Sequence, residues 1–128
     1  MISPSSFTPP RLHDGNRWKG CRVGLLGGSF NPAHAGHLHI ARLAQAKFGL
    51  DFVWWIVTPQ NPLKKSTGGY ERRFGQVEEM IAPYPRQLAT HLERDIGGKY
   101  TYQTVLGLRE QFPHTDFLWI CGMDNALI

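Results

Sequence analysis

The sequence has no apolar run that approaches the roughly 20 residues a membrane-spanning helix needs. The longest run, residues 52–57, has the length of a strand. The first 20 residues contain Ser, Pro and Gly but lack the apolar core of a secretory signal. No internal repeat and no low-complexity tract is present. These absences predict a soluble, cytoplasmic protein without a membrane partner.

Cysteine is also scarce, and charge of one sign is not concentrated. Cys21 precedes the first predicted strand and Cys121 ends the last one, so in a parallel sheet the two thiols lie too far apart for a disulfide. We therefore predict free cysteines, as in a reducing compartment. The net charge of +4 favours anionic partners. Because Lys and Arg form no dense stripe, we predict no nucleic-acid partner.

At 128 residues the chain has the length of one domain. Residues 1–20 lack hydrophobic periodicity and contain several prolines, so we predict a flexible N-terminal extension with Trp18 able to pack on the domain. Residues 21–128 alternate apolar strand-like runs with amphipathic helical patterns. The sequence therefore predicts an α/β domain, a Rossmann-like open parallel sheet with helices on both faces.

The most informative stretch follows the first apolar run, residues 23–26, which indicates a buried strand. We expect Gly27 and Gly28 to end this strand, because glycine allows positive φ and lets a phosphate approach the backbone closely. Pro32 stiffens the turn that follows and favours an extended Asn31. A strand, a tight turn and a helix thus meet within about a dozen residues.

The helix after this turn is predicted to begin between His34 and His37. Its buried stripe is predicted from apolar residues at helical spacing: Ile40, Leu43, Ala44 and Phe48. The first turn of a helix has unpaired N–H groups and a partial positive charge, which suit an anion. His34 and His37 lie three residues apart on one side of that turn, where both can donate to one ligand. The junction therefore predicts phosphate chemistry.

The rest of the chain supplies three further strands and two helices. Strands are predicted at residues 51–57, 88–92 and 117–121. Gly49 is predicted to end the helix that begins near His34. Two further helices are predicted, from Tyr70 to Ile81 and from Thr101 to Phe112. On the helix that begins at Tyr70 we expect a solvated face made of the charged residues Glu71, Arg72, Arg73, Glu78 and Glu79. The polar loop 58–69 follows the second strand, so it should face the two histidines.

Several candidate site residues can be interpreted from the sequence either as structural or as ligand-binding residues. Lys64 and Lys65 either bind a phosphate or lie in an ordinary solvated loop. Thr101 suits a helix N-cap, with Tyr100 packing on Val105, and a cap does not exclude ligand contact. Asp124 either caps a following helix or binds a ligand. A metal site built from the histidines is disfavoured, because His39 would face away from both His34 and His37 on a helix.

The junction as a whole resembles the GGxFxPxHxGH signature of the HxGH nucleotidyltransferase superfamily. The matching positions are Gly27, Gly28, Phe30, Pro32, His34, Gly36 and His37. Within that superfamily the later loops are similar to those of nicotinate-nucleotide adenylyltransferases. Residues 58–64 resemble a TPxxNPLK loop, and residues 122–124 resemble a GxD turn. Residues 98–104 resemble a GxSYTxDT segment, in which Lys99 and Gln103 replace the usual Ser and Asp.

The resemblance implies transfer of AMP from ATP to nicotinate mononucleotide, with release of pyrophosphate, in NAD biosynthesis. It implies His34 and His37 as catalytic residues that bind the ATP phosphates. ATP would also contact Gly27, Gly28, Ser29, Phe30 and Asp124. The nicotinate nucleotide would contact Asn61, Lys64, Tyr100 and Thr101. Mg²⁺ would travel with ATP, since no cluster of ligating side chains forms a protein-held metal site.

The resembling proteins continue beyond the last residue of this chain with an SxTxxR-like phosphate-binding segment, another strand and closing helices. We therefore expect the domain to be incomplete at its C-terminus and ATP binding to be weakened. Two alternatives stay open: another nucleotidyltransferase of the superfamily, such as phosphopantetheine adenylyltransferase, and a non-catalytic nucleotide-binding fragment. A homo-oligomer also stays open.

Overall fold

The computed structural model describes residues 8–30, 32–59, 69–97 and 101–120, with only the backbone for residues 101 and 102. Its elements in chain order are a 3-10 helix (Gly15–Trp18), β1 (Arg22–Gly28), α1 (Ala35–Phe48), β2 (Phe52–Val57), α2 (Tyr70–Ile81), β3 (Gln87–Thr90), α3 (Leu92–Ile96), α4 (Thr101–Gln111) and β4 (Asp116–Ile120). The predicted strand over 88–92 ends at Thr90, and Leu92 instead opens α3. The short helix α3 has no counterpart among the predicted elements.

In the part of the chain that the structure describes, four strands form one parallel sheet in the order β3-β2-β1-β4. Val23 of β1 lies between Phe52 of β2 and Phe117 of β4. The chain adds β2 and β3 on one side of β1 and then returns to the other side with β4. Ligands of open α/β sheets bind beyond the carboxyl ends of the strands where the order reverses. The predicted parallel α/β fold is confirmed.

Two hydrophobic cores, one on each face of the sheet, confirm that helices cover both sides. The side chains of β2 alternate between them, with Val53, Trp55 and Val57 in one core and Phe52, Trp54 and Ile56 in the other. The first core takes side chains from α1 and α2, and the second from α3, α4 and Trp18. All six residues of β2 are buried because this strand has neighbours on both edges and helices on both faces.

The buried face of α1 differs from the predicted one. Of the predicted stripe, Ala44 is buried and Ile40 packs against the core, whereas Leu43 and Phe48 are 56% and 46% exposed. His37 and Ala41 are also buried and complete the stripe. The helix is turned this way because two alanines let it pack closely on the sheet. His37 takes the third position in the stripe, where its ring packs edge-on against Phe30. The predicted stripe is therefore correct at Ile40 and Ala44 and wrong at Leu43 and Phe48.

The N-terminal segment and β4 add two details. Trp18 is buried, packs edge-on against Phe52 and Trp54, and its carbonyl accepts from the hydroxyl of Thr115, so its predicted packing is confirmed. The division of the chain at residue 20 stays a prediction. β4 is less buried than predicted, with Trp119 39% exposed, because within the described ranges β4 has a neighbour on one edge only.

Two predictions on cysteines and membrane spans have partial outcomes. Cys21 is a free, half-buried thiol, whereas Cys121 lies outside the described residues. No helix among the described residues is long and apolar enough to cross a membrane.

The second core should depend on Leu108 of α4 but not on Leu106, which lies two residues away on the same helix. Leu108 is fully buried and Leu106 is 58% exposed. Leu108→Ala should lower the free energy of unfolding by about 2–5 kcal/mol, because it leaves a cavity. Leu106→Ala should change it by less than about 0.5 kcal/mol. Urea unfolding measures both, and equal losses would contradict the packing of α4 described here.

Candidate functional site

The turn after β1 is built differently from the expectation. β1 continues through Gly27 and Gly28, which are not among the glycines with positive φ in the described ranges. The left-handed backbone instead lies at Phe30, with φ of 51°. A non-glycine residue holds this conformation only when its surroundings fix it, and here the Phe30 ring is buried against His37 and Trp55.

Neither glycine provides a backbone reversal, and Gly27 allows close packing. A Cβ at Gly27 would lie 3.3 Å from the indole of Trp119, so the missing side chain leaves room for that ring at the carboxyl end of β1. A Cβ at Gly28 would lie 3.4 Å from the Phe30 ring, which is an ordinary van der Waals contact. The backbone of Ser29 and Phe30 then leaves the sheet at the point where a ligand would approach.

The side chains of His34 and His37 form a capping box at the start of α1. The N–H of Gly36 donates to Nδ1 of His34 at 3.1 Å, and the N–H of His34 donates to Nδ1 of His37 at 3.0 Å. The ring centroids lie 3.8 Å apart, tilted by 33°. This reciprocal arrangement confirms that the two side chains lie together at the helix start, and it fixes both ring orientations.

These bonds also determine which nitrogens carry protons. A ring nitrogen that accepts a hydrogen bond has no proton, so in the neutral form of each ring the proton is on Nε2. Both histidines are thus donors through Nε2. Unpaired N–H groups of the first turn were expected at the anion site. The N–H groups of Gly36 and His37 are instead bonded to His34, so the imidazole Nε2–H groups are further candidate donors at this helix start.

A buried arginine on α2 donates hydrogen bonds to the backbone at the candidate site. Arg73 was predicted on the solvated face of α2 but is only 1% exposed. Its Nη1 donates to the carbonyls of Ser29 and Thr58, at 2.7 and 2.8 Å, just beyond the ends of β1 and β2. Burial lowers the pKa of Arg73, while neighbouring Tyr70 acts in the opposite direction. The signal was available, since residue 73 lies at i+3 from Tyr70, on the apolar stripe of α2.

Thr58 is held by a second charged residue. The Glu93 carboxylate forms hydrogen bonds with the side chains of Thr58 and Thr104. Burial raises the pKa of Glu93, and the two hydrogen bonds offset part of this increase. Glu93 therefore joins the end of β2 to α4. Glu93 is not recognisable from the sequence, because a lone carboxylate on a short helix forms no pattern.

The predicted site residues divide into three groups. The structure brings together at the β1–α1 junction the residues Gly27, Gly28, Ser29, Phe30, His34 and His37. Outside the described residues lie Asn61, Lys64, Tyr100 and Asp124. The backbone of Thr101 is the first residue of α4, so it lies inside the helix rather than at the predicted N-cap position. Its side chain is outside the described set.

The family model described as "Cytidylyltransferase-like" matches residues 25–124. The chain belongs to the cytidylyltransferase-like family. It is similar to curated proteins named "Probable nicotinate-nucleotide adenylyltransferase". The one from Parvibaculum lavamentivorans is 47% identical over 110 residues, which are 84% of this chain and 54% of the relative. The one from Gluconobacter oxydans is 49% identical over 106 residues, 81% of this chain and 54% of the relative.

A solved structure gives the same fold. It is described as "Plasmodium falciparum nicotinic acid mononucleotide adenylyltransferase complexed with NaAD", and it matches 77% of this chain and 50% of its own with a TM-score of 0.67. At 17% sequence identity, this likeness concerns the fold alone. The chain spans about half the length of the curated relatives it matches.

The histidine arrangement can be checked directly in solution. At a pH where both rings are neutral, His34 and His37 should show the Nε2–H form, because each Nδ1 accepts a backbone hydrogen bond. Long-range ¹H–¹⁵N NMR distinguishes the two forms, and the exposed His39 on the same helix provides an internal comparison. A protonated Nδ1 on either His34 or His37 would contradict the reciprocal cap.

Proposed function

We propose that the protein transfers the AMP group of ATP to nicotinate mononucleotide, giving nicotinate adenine dinucleotide and pyrophosphate. The observation that carries the proposal is the His34–His37 capping box at the start of α1, in which both Nδ1 atoms accept hydrogen bonds, so the proton of each neutral ring is on Nε2. Support also comes from the names of the curated relatives and from the nucleotide named in the description of the solved structure.

In this reaction a phosphate oxygen of nicotinate mononucleotide attacks the α-phosphorus of ATP. The bond from that phosphorus to the pyrophosphate oxygen breaks, and pyrophosphate leaves with the electron pair. No covalent nucleophile is required, so positioning and charge stabilisation account for most of the rate. The Nε2–H groups of His34 and His37 would stabilise the negative charge that develops on the leaving group.

ATP would lie along the turn, close to the backbone of Gly27, Gly28, Ser29 and Phe30, as the motif suggests, with Asp124 lining its pocket. The acceptor would contact Asn61, Lys64, Tyr100 and Thr101. These four assignments rest on the sequence resemblance. They are compatible with a site at the carboxyl ends of the strands, because β2 ends at Val57, four residues before Asn61.

Mg²⁺ would enter as part of the MgATP substrate. Mg²⁺ prefers oxygen ligands and keeps several of its waters, which suits coordination by ATP phosphates. At the junction the described donors are imidazole and backbone N–H groups, which suit phosphate oxygens rather than the metal. Among the described residues no group of three or more His, Cys, Asp or Glu side chains could hold a metal ion. A cytoplasmic location and a homo-oligomer stay predictions.

Pyrophosphate release from MgATP tests the proposed function. The acceptors offered separately are nicotinate mononucleotide, nicotinamide mononucleotide and phosphopantetheine. We expect turnover with nicotinate mononucleotide. His37→Ala should reduce kcat by about 100-fold to 1,000-fold, because it removes one positioned donor to the developing charge. His39→Ala, an exposed position on the same helix, is the matched control and should keep wild-type turnover.

Three results would contradict the proposal. Preferential turnover with phosphopantetheine would indicate another transferase of the same superfamily. MgATP binding without turnover for any acceptor would indicate a nucleotide-binding role only. Equal losses in the His37 and His39 variants would show that the cap does not contribute to the transfer.

A further inference from the structure

Arg73 makes contacts that link two parts of the candidate site. β1 and β2 are paired up to Gly28 and Val57, and one further hydrogen bond, from the N–H of Thr58 to the carbonyl of Gly28, closes the ladder at 2.9 Å. Beyond this point the strands cannot pair, because the chain turns away at Ser29. The carbonyls of Ser29 and Thr58 both accept from Nη1 of Arg73. One nitrogen thus takes the place of the next step in the ladder.

The arrangement is not one that stability alone would select. Nε and Nη2 of Arg73 are buried and have no hydrogen-bond partner among the described residues. Within those residues the salt bridges involve other arginines. The Arg73 guanidinium lies over the Tyr70 ring, with 5.6 Å between Cζ and the ring centroid. A buried cation with incomplete bonding is often no better for folding than an apolar side chain of similar size.

We propose that Arg73 is a positioning residue of the transfer reaction, which holds the turn after β1 at a fixed separation from the end of β2. Ser29 belongs to the turn proposed to bind ATP, and Thr58 ends the strand that leads to the residues proposed to bind the acceptor. The proposal rests on the proposed function, since the two segments would carry the two substrates.

The expected effect follows from what Arg73 touches. Arg73 is only 1% exposed and donates to backbone carbonyls, so each substrate should still bind its own segment when Arg73 is replaced. The alignment of the attacking oxygen with the α-phosphorus should suffer, because the carbonyls of Ser29 and Thr58 are no longer held by a common donor. Displacements of about 1 Å in such an alignment reduce rates by about 100-fold. A loss of positioning therefore appears in kcat and much less in KM.

The test uses Arg73→Met, Arg73→Lys and the control Arg72→Met. Methionine fills the volume without donating. Lysine can donate to both carbonyls but lacks the planar fork of arginine, so it should recover part of the function. Arg72 is exposed and is the preceding residue on α2. Circular dichroism checks that each variant is folded at the assay temperature, and Arg73→Lys tests the proposal if Arg73→Met does not fold.

In steady-state kinetics with MgATP and nicotinate mononucleotide, we expect Arg73→Met to lower kcat about 10-fold to 100-fold, with both KM values changed less than about threefold. Arg73→Lys should fall between Arg73→Met and wild type, and Arg72→Met should match wild type. Unchanged kcat in folded Arg73→Met would overturn the proposal and leave the proposed function standing. Raised KM values with unchanged kcat would overturn it as well.

A second measurement does not depend on turnover. Amide hydrogen exchange is followed with and without MgATP in a peptide that includes Ser29 and in one that includes Thr58. We expect MgATP to protect both in wild type and Arg72→Met, but only the Ser29 peptide in Arg73→Met. If this protection pattern is found but wild type shows no turnover, the proposed function is contradicted, whereas the link that Arg73 makes between Ser29 and Thr58 is supported. Equal protection of both peptides in every variant, or of neither peptide in wild type, would overturn the link.

Discussion

Two hydrogen bonds from backbone N–H groups to imidazole Nδ1 atoms determine how the chain passes from β1 into α1. They hold the first turn of the helix, fix both rings and leave the Nε2 atoms as donors. The buried position of His37 against Phe30 then sets which face of α1 meets the sheet. The structural cap and the proposed phosphate donors are thus the same pair of side chains, so a change in one role would also change the other.

The rest of the site is supported from the core rather than from the surface. Phe30 keeps a left-handed backbone because its ring is packed among His37 and Trp55. Arg73 reaches through the same layer to the carbonyls beyond the ends of β1 and β2. A turn without buried contacts would be more mobile, whereas the turn after β1 is fixed by buried contacts of Phe30 and Arg73. Such preorganisation is what a reaction driven by positioning and charge stabilisation needs.

The sequence was sufficient for the fold because its signals are periodic. The all-apolar run of β2 and the stripe Tyr70, Phe74, Val77 and Ile81 of α2 depend on local patterns, and both are found. The site residues of the junction are also recognisable from a local motif. The rotation of α1 was not predictable in this way, because it depends on how closely Ala41 and Ala44 approach the sheet. The role of Arg73 requires knowing that two carbonyls converge on one nitrogen, which no local pattern contains.

The central claim is that the His34–His37 pair binds the phosphates of a nucleotide. The most direct measurement is a titration of the ¹⁵N-histidine-labelled protein with MgATP, following the Nε2 resonances of all histidines. We expect the Nε2 signals of His34 and His37 to shift together and to saturate at the same MgATP concentration, while His39 and His114 stay unchanged. Saturable binding that leaves His34 and His37 unaffected would contradict the claim.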